Sequence, residues 1–266
     1  MHAIVTGGSR GLGRSIAAQF AARGDSVSLL ARDEVHLKEA AGSMGPGRVE
    51  WLTADVTDAA HLAVAIDGLL ARSGPCDILV AAAGAALPGY FDELDADVFR
   101  TQMELNYFGV LNAVRVVTPA MIERRSGSVV AVASAAALVG VFGYAAYAPS
   151  KFAVRGLMEV LRSELKPCGI HVACVFPPDM DTPGFAEENR TKPEECARIS
   201  AGIKPRDPDV VARSVLRGID RRRFTITADP QTGVLARAAG LVAPLLQRSF
   251  DRTISKVQRT QPRPRH

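Results

Sequence analysis

Tyr147 and Lys151 stand four residues apart in the stretch YAPSKFAVRGLMEVLRSEL. On a helix that spacing puts both side chains on one face, about 6 Å apart along the axis. An ammonium beside a phenol stabilises the phenolate and pulls a pKa ordinarily about 10 downward, toward the range where a phenol gives and takes protons. Tyr147 is therefore a candidate acid–base group and Lys151 its tuner. Pro149 is tolerated only in a first turn, so the pair belongs at a helix start. Alone, such a pair also describes a solvated surface contact. Two further residues give it context. Ser134 ends the apolar run SVVAVAS, and Asn106 sets an amide in the apolar stretch VFRTQMELNYFGVLNAV, where it needs a polar partner. A strand-end turn for Ser134 and a satisfied structural amide for Asn106 are the plain alternatives.

A second constellation lies at the start of the chain. The run HAIVTG leads into TGGSRGLGRS, which places Gly7, Gly11 and Gly13 in the pattern G-x-x-x-G-x-G. Glycines there permit positive φ and let backbone amides approach a pyrophosphate at a helix N-terminus, although a plain connecting turn has the same composition. Charge selects the type of dinucleotide. Arg10 in the turn and Arg32 at the end of SLLAR favour a 2′-phosphate, hence NADPH/NADP over NAD. Asp33 is the competing ribose acceptor, but it directly precedes EVHLKEA and is placed to cap that helix. Asp55, after VEWLTA begins to turn, could receive an adenine amino group or cap the helix beyond Thr57.

The elements that must position these residues follow from periodicity. Apolar runs of strand length, HAIVTG, SVSLLA, VEWLTA, ILVAAA, SVVAVAS and HVACVF, alternate with amphipathic helical stretches. Continuous apolarity implies burial on both faces. The pattern predicts an α/β fold, a doubly wound Rossmann-type parallel sheet with helices on both faces. A late helix from Asp207 to about Asp220 and the run RFTITA would complete about seven strands. Turns are expected at GPG, Gly45 to Gly47, and at SGP, Ser73 to Pro75.

Hydrophobic residues make up 47% of the chain and charged residues 23%, which excludes a disordered chain. The four cysteines lack C-x-x-C spacing and the five histidines lack metal-ligand spacing, so no metal is expected, and the setting is reducing and cytoplasmic. The first residues read as a strand, so no signal peptide is expected. Net charge is +4, yet residues 221–266 alone carry ten Arg or Lys against two Asp. No basic patch in the body is interleaved with aromatics, so nucleic acid is not an expected partner. Residues 1–230 are expected to form the dinucleotide-binding and catalytic domain, and 231–266 a basic amphipathic extension. In that extension Val234, Leu235, Ala238, Leu241, Val242, Leu245 and Leu246 recur at helical spacing, with Pro244 expected to bend the segment. It is too short to cross a bilayer. A helix lying at a membrane surface and a helix packed on the core or a subunit contact are equal alternatives.

Gly7, Gly11, Gly13, Asp55, Asn106, Ser134, Tyr147 and Lys151, in this order, resemble the short-chain dehydrogenase/reductase family across about residues 1–228. The resemblance implies that Tyr147 exchanges a proton with the substrate oxygen and Ser134 hydrogen-bonds that oxygen. It also implies that Lys151 binds the nicotinamide ribose and Asn106 holds a relay water. Ser9, Leu12, Val56, Ala83, Gly84, Pro177 and Thr182 are carried over as further cofactor contacts. One departure stands out: where the family has an asparagine after the fourth strand, this chain reads AAAG, Ala81 to Gly84, which questions the local support of that strand. Family members commonly pair through the helices bearing Asn106 and Tyr147, so a homodimer or homotetramer is expected.

The segment PPDMDTPGFAEENRTKP leaves the sixth apolar run through two prolines, where the family has its cofactor-covering loop and substrate lid, here 177–205. With GVFGYAAYAPSKFAVRGL it is similar to family members that reduce a long-chain lipid bearing an amine beside its ketone. Asp179, Asp181, Glu187 and Glu188 bring negative charge close by, and one of these acids, Asp179 or Asp181 first, is expected to pair with that amine, with turn and cap chemistry as the alternative. A 3-oxoacyl-thioester reductase, or an NADP-binding regulatory protein without turnover, are the competing functions. Peripheral attachment to the cytoplasmic face of a membrane through the C-terminal segment would suit a lipid substrate.

Overall fold

A computed structural model describes residues 1–45 and 48–260. Pro46 and Gly47 of the GPG turn, and residues 261–266 of the tail, lie outside the described residues. The chain runs β1 (His2–Thr6), α1 (Gly11–Ala22), β2 (Ser26–Ala31), α2 (Glu34–Gly42), β3 (Val49–Thr53), α3 (Ala59–Ser73), β4 (Ile78–Ala81), α4 (Ala96–Met103) and α5 (Gly109–Glu123). There follow β5 (Ser128–Val132), α6 (Tyr147–Leu165), β6 (His171–Phe176), α7 (Pro183–Glu188), α8 (Glu194–Ser200), α9 (Pro208–Asp220), β7 (Thr225–Thr227) and α10 (Pro230–Thr260).

The apolar runs become strands because Val, Ile, Leu and Ala fill both faces, and β1, β4 and β6 are buried at every position. All seven pair in parallel, in the order β3-β2-β1-β4-β5-β6-β7. The order reverses between β1 and β4, which opens the crevice where such sheets receive ligands. On one face, Leu62 and Ile66 of α3, Val114 and Met121 of α5 and Met158 of α6 close the core. On the other, Ile16 and Phe20 of α1, Leu37 of α2 and Val215 of α9 do so. Parallel order brings the exits of β1, β4, β5 and β6 to one edge, and with them the glycine turn, AAAG, Ser134 and the proline loop.

Between α4 and α5 the helix takes one π turn, Glu104–Phe108. The continuous run Ala96–Glu123 is long and apolar enough to cross a bilayer by length and composition. Here it packs on β4, α3 and α6, with Val110, Val114 and Val117 in the core.

The tail departs from expectation in one respect. α10 breaks at Ala238 (φ −126°, ψ 23°), six residues before Pro244, and Pro244 itself lies inside the distal helix. Proline withholds its donor from the carbonyl four residues back, Gly240, so the disturbance falls upstream of the ring. The distal arm packs against α8: Val257 is buried and Gln258 Nε2 donates to Glu195 Oε1 at 3.3 Å. Glu195, itself buried, also accepts from the Tyr90 hydroxyl at 2.8 Å. Val234 of the proximal arm, and Leu241 and Leu245 at the start of the distal arm, are left in solvent.

A charge forced into the α10–α8 contact should loosen α8 while sparing the sheet. Val257→Asp is expected to raise amide hydrogen exchange across Glu194–Ser200 about tenfold, with exchange in β1, β4, β5 and β6 unchanged.

Candidate active site

The glycine turn is built by close approach. A side chain at Gly7, whose φ is +67°, would put its Cβ 2.8 Å from the Ala83 backbone, and one at Gly13 would lie 2.3 Å from the Gly7 carbonyl oxygen. The turn thereby locks to the exit of β4. α1 starts with no side-chain cap from Arg10 and no acid in its first turn, so its leading amides are left for an anion. Ser9 and Leu12 are buried in the same turn. Thr182 lies over it, with Cγ2 3.6 Å from where a Gly11 Cβ would be, while its hydroxyl caps α7 by accepting from Phe185 N at 3.2 Å.

Asp33 caps α2 as expected: Oδ1 accepts from His36 N at 3.0 Å, and Oδ2 lies 2.6 Å from His36 Nδ1. Both oxygens are engaged, so Asp33 is a poor ribose acceptor. Arg10 and Arg32 are exposed at the same edge, Arg32 with Nη1 3.8 Å from Asp55 Oδ2. Asp55 does not cap α3, a role that falls to Asp58 through His61 N at 2.9 Å. Asp55 instead accepts from Thr57 N and Oγ1, at 2.9 and 2.8 Å, in a local turn. Val56 is buried against Gly109, its carbonyl accepting from Asn112 Nδ2 at 2.9 Å. An open helix N-terminus, a turn without side chains and two exposed guanidiniums fit the pyrophosphate and 2′-phosphate of NADPH.

Tyr147 is the first residue of α6, and Pro149 fits in that first turn. One turn on, Lys151 is only 4% exposed and donates to the Val132 carbonyl at 3.0 Å. Ser134 lies at the exit of β5, where its Oγ accepts from Ala136 N at 3.1 Å and its hydroxyl also hydrogen-bonds the Tyr147 phenol. Pro177, buried, accepts from Ala135 N at 3.1 Å and ties the proline loop to that exit.

The expected effect of Lys151 on Tyr147 is not what the site shows. Burial pushes the Tyr147 phenol above its ordinary value; the Ser134 hydrogen bond opposes this, and the charges of Glu188 and Asp179 add to it. The Lys151 ammonium sits 5.8 Å from the centre of the Tyr147 ring and is aimed at the Val132 carbonyl instead of the phenol oxygen. Its own pKa is brought down to about 8 by burial. The phenol is therefore held neutral.

Asn106 falls in the π turn, fully buried. Its Oδ1 accepts from Ala85 N at 3.1 Å, and Nδ2 donates to Ala85 O at 3.0 Å, Ser150 Oγ at 3.1 Å and, more weakly, Gln102 Oε1 at 3.3 Å. The amide hydrogens are thus committed to the protein. Asn106 fixes the Gly84–Ala85 backbone, and a side chain at Gly84 would put Cβ 2.7 Å from Asn106 Oδ1 and 3.1 Å from Lys151 Nζ. The asparagine absent from Ala81 is not missed, because Thr6 Oγ1 accepts from Ala82 N and Ala83 N at 3.2 and 3.3 Å. No sequence signal pointed to Thr6.

The two candidate acids part company. Asp181 is exposed, its amide bonded to the Arg206 carbonyl at 3.0 Å. Asp179 is half-buried, and burial and Glu188 raise its pKa while Lys192 lowers it. Tyr144 packs against Tyr147 with ring centres 5.7 Å apart, and its hydroxyl donates a short hydrogen bond to Glu188 Oε1. Tyr144 and Lys192 were not among the expected site residues. Tyr144 could have been noticed as a second tyrosine one turn before Tyr147.

Cutting the Asn106 amide strands two backbone groups of Ala85. Asn106→Ala should lower unfolding free energy by about 1–3 kcal/mol in urea denaturation, and Asn106→Asp should not restore it, because Asp cannot donate to Ala85 O when ionised.

Comparison with known proteins agrees with this geometry. Residues 1–193 match the short chain dehydrogenase family. The 3-dehydrosphinganine reductase of Danio rerio is 40% identical over 242 residues, 88% of this chain and 73% of the relative. The 3-ketodihydrosphingosine reductase of Dictyostelium discoideum is 37% identical over 278 residues, 97% of this chain and 83% of the relative. A solved short-chain dehydrogenase from Sphingobium yanoikuyae in complex with NADPH has a TM-score of 0.77 at 26% identity, over 100% of this chain and 99% of that one. With the match running through the glycine turn, Tyr147 and Lys151 to residue 193, the chain belongs to the short-chain dehydrogenase family.

Proposed function

We propose that this enzyme reduces the 3-keto group of 3-ketodihydrosphingosine to dihydrosphingosine, with NADPH as reductant. The observation that carries the proposal is a neutral, half-buried Tyr147 phenol, bonded to Ser134, beside the carboxylates of Asp179 and Glu188. A ketone with an ammonium on the adjacent carbon needs that combination. Relatives named as reductases of this substrate support it.

Bound NADPH supplies the hydride. Ser134 and Tyr147 hydrogen-bond the ketone oxygen, and Tyr147 donates its proton as that oxygen gains negative charge. With its pKa above the ordinary value, the phenol is in the protonated, donor form at neutral pH. Lys151, seated on Val132 O, stabilises the tyrosinate left behind and is placed to hold the nicotinamide ribose. Asn106 is a positioning residue for the backbone roof over Lys151, with an Oδ1 lone pair left for a relay water. Gly7, Gly11, Gly13, Ser9, Leu12, Ala83, Gly84, Pro177 and Thr182 shape the cofactor cleft, and Arg10 and Arg32 meet the 2′-phosphate.

The sign of the pH dependence follows from Lys151. Its charge is present below its pKa of about 8 and lost above it, so reduction should plateau at neutral pH and fall as pH rises through 8. Tyr147→Phe should lower turnover of a long-chain 2-amino-3-ketone about 10²–10⁴-fold with NADPH affinity kept. Turnover confined to a 3-oxoacyl thioester in the same NADPH-consumption assay would overturn the substrate.

The enzyme is further proposed to work at the cytoplasmic face of a membrane, as a homodimer or homotetramer. Phe108 and Ile122 on the Asn106 helix run, with Phe152 and Val160 on α6, are exposed apolar groups suited to pairing. Leu241 and Leu245, 81% and 64% exposed, stand on a basic helix suited to an anionic lipid surface. Replacing both with Ser should weaken co-sedimentation with phosphatidylserine vesicles several-fold; unchanged binding would sink the attachment.

A further inference from the structure

Beside the reacting phenol, the chain has built a cation site and filled it with its own lysine. Lys192, between α7 and α8, has a side chain only 5% exposed. Its ammonium stands 3.2 Å from Glu188 Oε1, 4.7 Å from the centre of the Phe185 ring and 5.9 Å from that of Tyr144. Aromatic faces and a carboxylate around a desolvated ammonium make a recognition cage for that group. The Tyr144 hydroxyl, bonded to the same Glu188 oxygen, fixes the carboxylate, and Asp179 is near enough to feel the charges of both Lys192 and Glu188.

The cage adjoins the chemistry through Tyr144, whose ring contacts that of Tyr147. An amine on the carbon next to a ketone lies within two bonds of the carbonyl carbon. Any group that holds the amine must therefore border the residue that meets the ketone oxygen, as this cage does.

We propose that the cage of Glu188, Tyr144 and Phe185 is the subsite for the substrate's primary ammonium, with Lys192 as a stand-in that the substrate displaces. The inference rests on the substrate being an amino ketone. It goes beyond a pairing with Asp179 alone, because it names the aromatic walls and the resident cation. Exchange of one ammonium for another keeps the charge of the buried site constant, so the acids never stand unpaired away from water. It also makes amine entry inseparable from movement of the α7–α8 connection, since Lys192 must leave for solvent. A ketone without the amine has nothing to put in place of Lys192.

The test is calorimetric binding to the full-length, NADP-loaded enzyme of a water-soluble 2-aminododecan-3-ol and of its counterpart without the amine. The amino alcohol should bind at least about tenfold more tightly. Glu188→Gln, which can still accept from Tyr144, should erase that preference, as should Phe185→Leu in part. Lys192→Met should strengthen amino-alcohol binding several-fold without changing its counterpart, because the internal competitor is gone. Retained NADP binding certifies each variant as folded. Equal binding of both alcohols to the wild type, a preference untouched by Glu188→Gln, or weaker amine binding in Lys192→Met would each overturn the cage. Turnover of the amino ketone, measured in parallel, reads the reaction separately: reduction without amine preference removes the cage alone, whereas amine preference without reduction upholds the cage and removes the reaction.

Discussion

The buried ammonium of Lys151 is the constraint around which the centre is arranged. An amine taken out of water needs an acceptor, and Val132 O provides it from the end of β5. The strand must therefore stop at that point and turn, which places Ser134 two residues on. The roof over the ammonium must come close, so the exit of β4 carries Gly84, and Asn106 clamps the next residue from the π turn. Two strand exits and two helical segments are thus referred to a single nitrogen. Burial lowers its affinity for a proton and raises that of Tyr147, so in the proposed mechanism this ammonium compensates the negative charge left once the phenol gives its hydrogen.

Much of this was legible in the chain. Alternating apolar runs and amphipathic stretches predict the parallel sheet because a strand buried on both faces needs no polar side. The strand-to-helix turn with glycines, and a Tyr–Lys pair around an early proline, carry their positions in their spacing. The same holds for Asp33, whose capping role follows from being the residue just before a helix.

What was not legible depends on distances between segments far apart in sequence. The direction of the Tyr147 shift required knowing how deeply the ring is buried and where Lys151 points. Spacing supplies neither. The π turn at Glu104–Phe108 adds one residue to a helical turn without changing the apolar pattern enough to be seen. Thr6 replaces the support of the absent asparagine through hydrogen bonds to residues 82 and 83, a pairing across the sheet that no local motif encodes. Asp179 and Asp181 are equivalent as letters, and only the path of the proline loop turns one inward and leaves the other in solvent.

The broken helix α10 divides into two arms at Ala238, and the farther one rests on α8 through Val257 and Gln258. That arm is in effect an outer buttress for α8, with its far surface left in water. A fluorescent dye on its solvent side would report any shift of α8 from outside the sheet edge, without altering Ser134, Tyr147 or Lys151.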